Sequence, residues 1–210
     1  MYDNSIPELD SYIRFFHASA NAPSVDIYIN GSLIISNLNF SEISSYKKLT
    51  PGKYNFEIYK HGSYDSPILK QDIDVLPYLI ITVCAILSND NLELFSLRDQ
   101  FTTKSTPNSA HIRFINFSPD SPLLSLELPN EDILFNQVEY LENTNYYSLS
   151  PALYDFMLTQ NMNSSYKKLI NNIDLDSNTF YTIYIIGLFE DYPELGYLLT
   201  LDGLYDTNKQ

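Results

Sequence analysis

Histidine is the first side chain to place when looking for acid–base or metal chemistry, and this chain of 210 residues has three: His17, His61 and His111. None has a Cys or a second His three or four residues away, so the spacing by which one short segment presents two ligands to zinc is missing. His17 ends an apolar segment beside Ala18-Ser19-Ala20-Asn21-Ala22-Pro23, and its expected role is a hydrogen bond to the backbone of that turn. Asp174-Leu175-Asp176-Ser177-Asn178 opens like a calcium loop. Thr179, however, stands where the sharp turn needs glycine, and Ile185 where a bidentate glutamate would close the shell, so a polar turn between strands is expected instead. No Gly-x-Ser-x-Gly elbow is present, and the lone Cys84 lies in the apolar run Leu79–Leu87, where a thiol packs as a small hydrophobe. Glu190 and Asp191 are adjacent, which on a strand sends them to opposite faces and in a loop leaves two solvated charges. The sequence therefore assigns no catalytic, cofactor-binding or metal-ligating residue. It predicts a protein that needs no cofactor and is not an enzyme.

Two arginines and a surplus of tyrosine stand out. Arg14 and Arg113 occupy equivalent places in otherwise apolar segments, Tyr12–Phe15 and His111–Phe114. Each is read as structural, with Asp26 on the following strand the expected partner of Arg14. Ser125 at the matching place leaves Arg113 to find another. The chain has 18 Tyr and 12 Phe but no Trp. Phe15, Phe56 and Phe114 are expected in cores, whereas Tyr28, Tyr59, Tyr146 and Tyr184 fall on alternate positions expected to face solvent, where amphipathic rings suit protein contacts or sugar stacking.

The elements that carry these residues read as strands. Val25, Ile27 and Ile29 alternate with Asp26 and Tyr28, as Tyr54, Phe56 and Ile58 do with Asn55 and Glu57, the pattern of sheets with one face on a core and one in water. Segments rich in β-branched and aromatic residues recur near 12–17, 25–29, 33–36 or 44–48, 54–60, 68–75, 79–87 and 92–97. They recur again near 111–117, 123–128, 145–148, 153–159, 168–174, 179–187 and 196–201, with weak alternation from Pro129 to Asn145. The second set repeats the first at an offset of about 100 residues: Thr50-Pro51-Gly52-Lys53-Tyr54 returns as Ser150-Pro151-Ala152-Leu153-Tyr154, and Ile73-Asp74-Val75 as Ile173-Asp174-Leu175. A period of that length is a domain rather than a solenoid unit. The predicted organisation is a β-sandwich over 11–98, a polar linker over 99–110, and a second, diverged sandwich over 111–205.

The formal net charge is -14, which argues against phosphate backbones and anionic membranes as partners. The excess is uneven: residues 1–105 hold 8 Lys/Arg against 12 Asp/Glu, and residues 106–210 hold 4 against 14. Such a surface suits solubility, or docking of a basic partner. The opening residues Met1–Asp10 lack the basic and apolar regions of a secretory signal, and no apolar run reaches membrane-spanning length. Cytoplasmic synthesis is expected, with no membrane insertion and with a spore or cell surface as a possible destination.

His17-Ala18-Ser19-Ala20-Asn21-Ala22-Pro23-Ser24-Val25-Asp26-Ile27-Tyr28-Ile29-Asn30-Gly31 resembles the signature opening of the bacterial family catalogued as domain of unknown function 4397, and Leu49-Thr50-Pro51-Gly52-Lys53-Tyr54 resembles its second landmark. The second half keeps Ile112-Arg113-Phe114 and Ser118-Pro119-Asp120-Ser121-Pro122. It departs at Leu126-Glu127-Leu128-Pro129 and at Ala152, where the landmark has glycine. The resemblance implies immunoglobulin-like, antiparallel β-sandwiches in tandem, found in bacterial surface or secreted proteins, with no established catalytic activity and no functional residue to carry over. The expected function is a non-enzymatic structural or adhesive module of a bacterial surface or spore-type assembly, acting by protein contact or self-association. The alternative is a carbohydrate-binding domain that uses exposed tyrosines.

Overall fold

The computed structural model describes residues 9–88, 91–100, 108–160 and 166–203. All regular structure among them is strand. The first eight are β1 (Ser11–His17), β2 (Val25–Ile29), β3 (Ser32–Leu38), β4 (Lys47–Leu49), β5 (Gly52–Lys60), β6 (Leu69–Val75), β7 (Ile80–Ser88) and β8 (Asn91–Arg98). The next eight are β9 (Ala110–Asn116), β10 (Leu124–Glu127), β11 (Ile133–Val138), β12 (Tyr147–Leu149), β13 (Ala152–Gln160), β14 (Lys167–Leu175), β15 (Phe180–Ile186) and β16 (Gly196–Asp202). No helix among the described residues is long and apolar enough to cross a membrane.

The chain forms two tandem β-sandwich domains, with the boundary between compact units falling between Asp99 and Gln100. In the first, the four-stranded sheets run β4-β1-β7-β8 and β3-β2-β5-β6; in the second, β12-β9-β15-β16 and β11-β10-β13-β14. The two orders are the same with every label advanced by eight. Among the described residues the paired strands run antiparallel except β1 with β7 and β9 with β15, which are parallel. This follows from the chain path, because β1 and β7 are far apart in sequence and no hairpin dictates their direction.

Each core lies between its two sheets and is filled by one alternating set per strand. The first holds Ile13, Phe15, Val25, Ile27, Phe56, Ile58, Ile81 and Val83, with the Phe15 and Phe56 rings 5.7 Å apart. The second holds Ile112, Phe114, Leu124, Leu126, Phe156, Leu158, Ile170 and Ile183, with Phe114 stacked on Phe135 at 5.8 Å.

Among the described residues each domain has eight strands where seven are expected. The ambiguous stretches near 33–36 and 44–48 are both strands, and β11 occupies the segment of weak alternation. The landmark Thr50–Tyr54 also gains a cause. The Tyr54 hydroxyl donates to the Thr50 carbonyl at 2.7 Å, and Tyr154 donates to that of Ser150 at 2.9 Å, so one ring pins the corner leading into each long central strand. Of the expected linker, residues 101–107 lie outside the described set. Asp99 is no linker residue: it is buried in the first domain, bonded to side chains of that domain.

Candidate functional site

Arg14 does not pair with Asp26. The two strands that carry them lie in opposite sheets, so the side chains leave the core in opposite directions. Arg14 instead meets its parallel register partner Thr82: Arg14 Nε donates to Thr82 Oγ1 at 2.7 Å, and Thr82 Oγ1 donates to Asp99 Oδ2 at 2.5 Å. The Tyr46 hydroxyl donates to the same oxygen at 2.7 Å while its ring lies 4.6 Å under the guanidinium. Arg113, for which sequence leaves no partner, has the same set. Its Nε donates to Thr182 at 2.7 Å, Thr182 donates to Asp202, Tyr146 donates to Asp202 at 2.8 Å, and the Tyr146 ring lies 4.8 Å from the guanidinium. Each guanidinium Nη2 is 3.6 Å from its aspartate. Arg, Thr and Asp are buried in both domains, so these are internal charge clusters whose members satisfy one another. Both arginines are structural, as expected, but through other partners. Tyr146 is therefore tied to this cluster, and Tyr184, also expected in solvent, is buried.

His17 takes its expected place: it is buried, with Nε2 at 3.0 Å from the Pro23 carbonyl, and burial pushes its pKa below 6.5. His111 is buried against the Phe180 ring, which stacks on it at 4.6 Å, and is likewise pushed down by burial. The Asp174–Asn178 segment forms a polar turn between β14 and β15, in which the Asn178 side chain accepts the Asn108 amide at 3.0 Å. Among the described residues no three His, Cys, Asp or Glu side chains group as metal ligands.

The third histidine leads to the candidate site. β2 and β5 direct Val25, Ile27, Phe56 and Ile58 inward, so Asp26, Tyr28, Glu57 and Tyr59 share the opposite face of the sheet. Asp26 sits opposite Tyr59, and Tyr28 opposite Glu57. A bulge in the β2–β3 ladder frees the Asn37 amide, and Asn37 takes φ 56° there. That amide donates to Asp26 Oδ1 at 2.7 Å, and Ser36 Oγ donates to it at 3.0 Å. Beyond the end of β5, His61 Nδ1 is 2.9 Å from the same oxygen, and the Tyr64 hydroxyl donates to Oδ2 at 2.8 Å.

Asp26 therefore has no accessible surface although its partners lie at the protein's exterior: the His61 side chain is 42% exposed and Tyr64 55%. Burial alone would raise the carboxyl pKa. The hydrogen bonds from Asn37, His61, Tyr64 and Ser36 outweigh it and hold the group at about 2. The carboxylate in turn pushes the Tyr64 phenol up.

The rings so fixed form a cluster. Tyr28 meets Tyr59 edge-on at 5.2 Å, and Tyr64 lies 6.3 Å from Tyr28 and 6.2 Å from Tyr59. Leu33, opposite Tyr28 in register, is exposed beside it, and the Lys70–Glu57 ion pair at 2.7 Å borders the patch. Sequence placed Tyr28 and Tyr59 on this face. It missed His61 and Tyr64, which lie past the strand end where period-two reasoning stops.

No curated protein matches the chain. Among solved structures, a "putative cell adhesion protein" from Bacteroides fragilis NCTC 9343 aligns over 94% of this chain and 99% of its own, at 10% identity and a TM-score of 0.22. A likeness that slight carries no argument about fold or function. The model of the family described as a domain of unknown function, DUF4397, matches residues 11–127, from β1 through β10. That span contains the His17–Gly31 opening, the Thr50–Tyr54 corner and the whole tyrosine face, and covers more than half of the sequence: the chain belongs to the DUF4397 family.

Proposed function

We propose that the protein is a non-enzymatic binding module of a bacterial surface or spore-type assembly, and that the Tyr28–Tyr59–Tyr64 face of its first domain is where it touches other proteins, including further copies of itself. The observation that carries this reading is the anatomy of the face: three tyrosines and Leu33 at its centre, the Lys70–Glu57 pair at its border, and a buried carboxylate beneath that fixes Tyr64 and His61 before any partner arrives. Aromatic centres with polar rims are the usual make-up of protein interfaces, tyrosine is enriched among their energetic hot spots, and a pre-fixed ring loses little entropy on binding. Asp26 is a poor candidate for acid–base work. With four donors on its two oxygens and a pKa of about 2 it does not take up a proton near neutrality. The bacterial setting comes from what the family resemblance implies.

Carbohydrate binding is the second reading, favoured by the exposure of Tyr64 and by the three neighbouring rings. Sedimentation of the wild-type chain and of Tyr59→Ala/Tyr64→Ala over a concentration and salt series separates the two. Self-association that strengthens with salt and is lost in the variant supports protein contact. A strict monomer that binds oligosaccharides on an array through the same tyrosines supports the alternative.

A further inference from the structure

The two domains differ most in the connection that follows their parallel strand. β7 and β8 are joined by two residues, whereas nine, 187–195, separate β15 from β16. The longer loop is built rather than draped. Gly187 takes φ +90°, and a Cβ there would lie 2.4 Å from the Glu194 carbonyl oxygen, so the two strands of the loop approach as only glycine permits. The Leu188 amide donates to the Pro193 carbonyl at 2.8 Å. Asp120, reaching over from the Ser118–Pro122 turn, accepts the amides of Phe189 at 2.9 Å and Glu190 at 3.3 Å. The Lys168 ammonium holds the Leu195 carbonyl, and Leu188 and Leu195 are buried in the domain.

Between this loop and the start of β14 lies a cleft of about 630 Å³. Its aromatic walls are Tyr166 and Phe189, with ring centroids 5.0 Å apart and planes at 58°, and Tyr192, which is 80% exposed. Glu190, Asp191 and Glu194 supply the carboxylates. Burial and the charge of Glu194 push the Tyr166 phenol up, so it stays neutral. Lys167 and Lys168 also line the cleft, so its lining sets three carboxylates against two ammonium groups, of which that of Lys168 is held by the Leu195 carbonyl.

Carboxylates accept hydrogen bonds and donate none, and aromatic faces attract positive charge, so the three carboxylates and the rings select the same occupant, against the repulsion of the two lysines. A guanidinium satisfies both at once, being planar, donor-only and able to stack, where an ammonium is a point charge. The half of the chain that contains the cleft holds 14 Asp/Glu against 4 Lys/Arg, and although two of those four, Lys167 and Lys168, line the cleft, the net negative field draws a basic partner toward the domain. A neutral sugar gains nothing from the charge and finds two rings tilted at 58° in place of a flat platform.

We propose that this cleft is a second binding site, distinct from the tyrosine face, which takes an arginine side chain from a basic segment of a partner protein. The test is titration of the 15N-labelled full chain with acetyl-hexaarginine amide at about 20 mM and about 200 mM salt, with acetyl-hexalysine amide and cellohexaose as comparison probes. Expected are saturable NMR shifts concentrated on residues 166–168 and 187–196, tighter for arginine than for lysine and weaker at the higher salt. Tyr192→Ala and Glu190→Gln/Asp191→Asn should each weaken the arginine probe about tenfold without changing thermal unfolding, since all three side chains are exposed and Asp191→Asn keeps a side-chain oxygen for the Tyr192 amide that Asp191 Oδ1 accepts at 2.8 Å. Shifts spread over the acidic surface and unchanged in Tyr192→Ala would mean diffuse charge attraction and overturn the proposal. So would saturable cellohexaose binding at the cleft with no arginine response.

Discussion

At the second strand of each sandwich the same bulge is closed by different chemistry. In the first domain the Asn37 amide, freed at φ 56°, goes to the Asp26 carboxylate; in the second the Gln137 amide, freed at φ 52°, goes to the Ser125 hydroxyl at 2.9 Å. The backbone need is identical and either side chain meets it. Only the carboxylate has a second oxygen and a charge left over, and these hold Tyr64 and His61. Around Ser125 the register puts Glu127 and Thr159 where the first domain has Tyr28 and Tyr59, and those two bond each other at 2.7 Å. The second domain instead carries Phe189 and Tyr192 on the 187–195 loop, where the first has a two-residue connection. One frame thus presents two faces, and each is made by a few residues that the frame does not require.

What the frame does require is the buried Arg–Thr–Asp–Tyr cluster, present in both domains with the same hydrogen bonds. The largest expected effect is therefore symmetrical. Asp99→Ala and Asp202→Ala each leave a buried guanidinium without its counter-ion and should cost about 3–5 kcal/mol in the domain concerned. Urea unfolding of the two variants measures this. A loss confined to one of them would break the equivalence of the clusters.

An exchange at the bulge comes next. Asp26→Ser keeps an acceptor for the Asn37 amide but releases His61 and Tyr64, with an expected loss of about 1–3 kcal/mol and of the ordered tyrosine face. Ser125→Asp should be worse than neutral, because it buries a carboxylate beside Glu127, and the sequence has Asn161 and Ser164 where the first domain has His61 and Tyr64. If Ser125→Asp proves stabilising, the two bulges are more alike than their side chains indicate.

The division between what sequence reveals and what it hides follows the same line. Strands such as β2 and β5 are legible because alternation of period two survives along them. β11 is not, because its bulge puts the inward residues Phe135 and Val138 three apart, and β3 is ambiguous for the same reason, pairing Ile35 with Ile27 but Leu38 with Val25. The Arg14–Asp26 expectation failed because it took consecutive strands to be paired, whereas the chain crosses from one sheet to the other after β1. The true partners were within reach of the repeat itself: Tyr46 and Tyr146, Thr82 and Thr182, Asp99 and Asp202 recur at nearly the offset of Arg14 and Arg113. His61 and Tyr64 had no such signal, since Asn161 and Ser164 stand 100 residues on.

Acid should separate the domains by a smaller margin. Asp26 titrates at about 2 when folded and near 3.8 ordinarily, so the unfolded chain takes up the proton first. Its contribution is whole above about pH 5 and fades as pH falls through 4 toward 2. It amounts to about 1–2 kcal/mol, reduced by solvent screening at the exposed partners. His17 and His111, both pushed below 6.5 by burial, already weaken each domain as pH drops under that value, because the unfolded chain protonates there and the folded one resists. Stability against pH, followed for wild type and Asp26→Asn, should show an extra loss below pH 4 in the first domain of the wild type alone. Identical acid limbs would mean that the carboxylate is not held ionised.

Gly52→Ala should have the smallest effect, and it tests whether the corner is one device in both domains. Gly52 is not in the left-handed region, and a Cβ built on it would meet only Tyr54 Cε2, at an ordinary 3.8 Å. The second domain has Ala152 at this place and still closes its corner with the Tyr154–Ser150 hydrogen bond. Nothing in the backbone demands glycine here, unlike Gly187. The substitution also lowers the entropy of the unfolded chain, a stabilising contribution of about 0.4–1 kcal/mol where the native conformation accepts Ala. A melting temperature unchanged or slightly raised is expected. A clear fall would mean that Gly52 does something Ala152 does not, most directly leaving room for Tyr54 to swing onto Thr50, and Tyr54→Phe in each background would then show whether the lost stability runs through that hydroxyl.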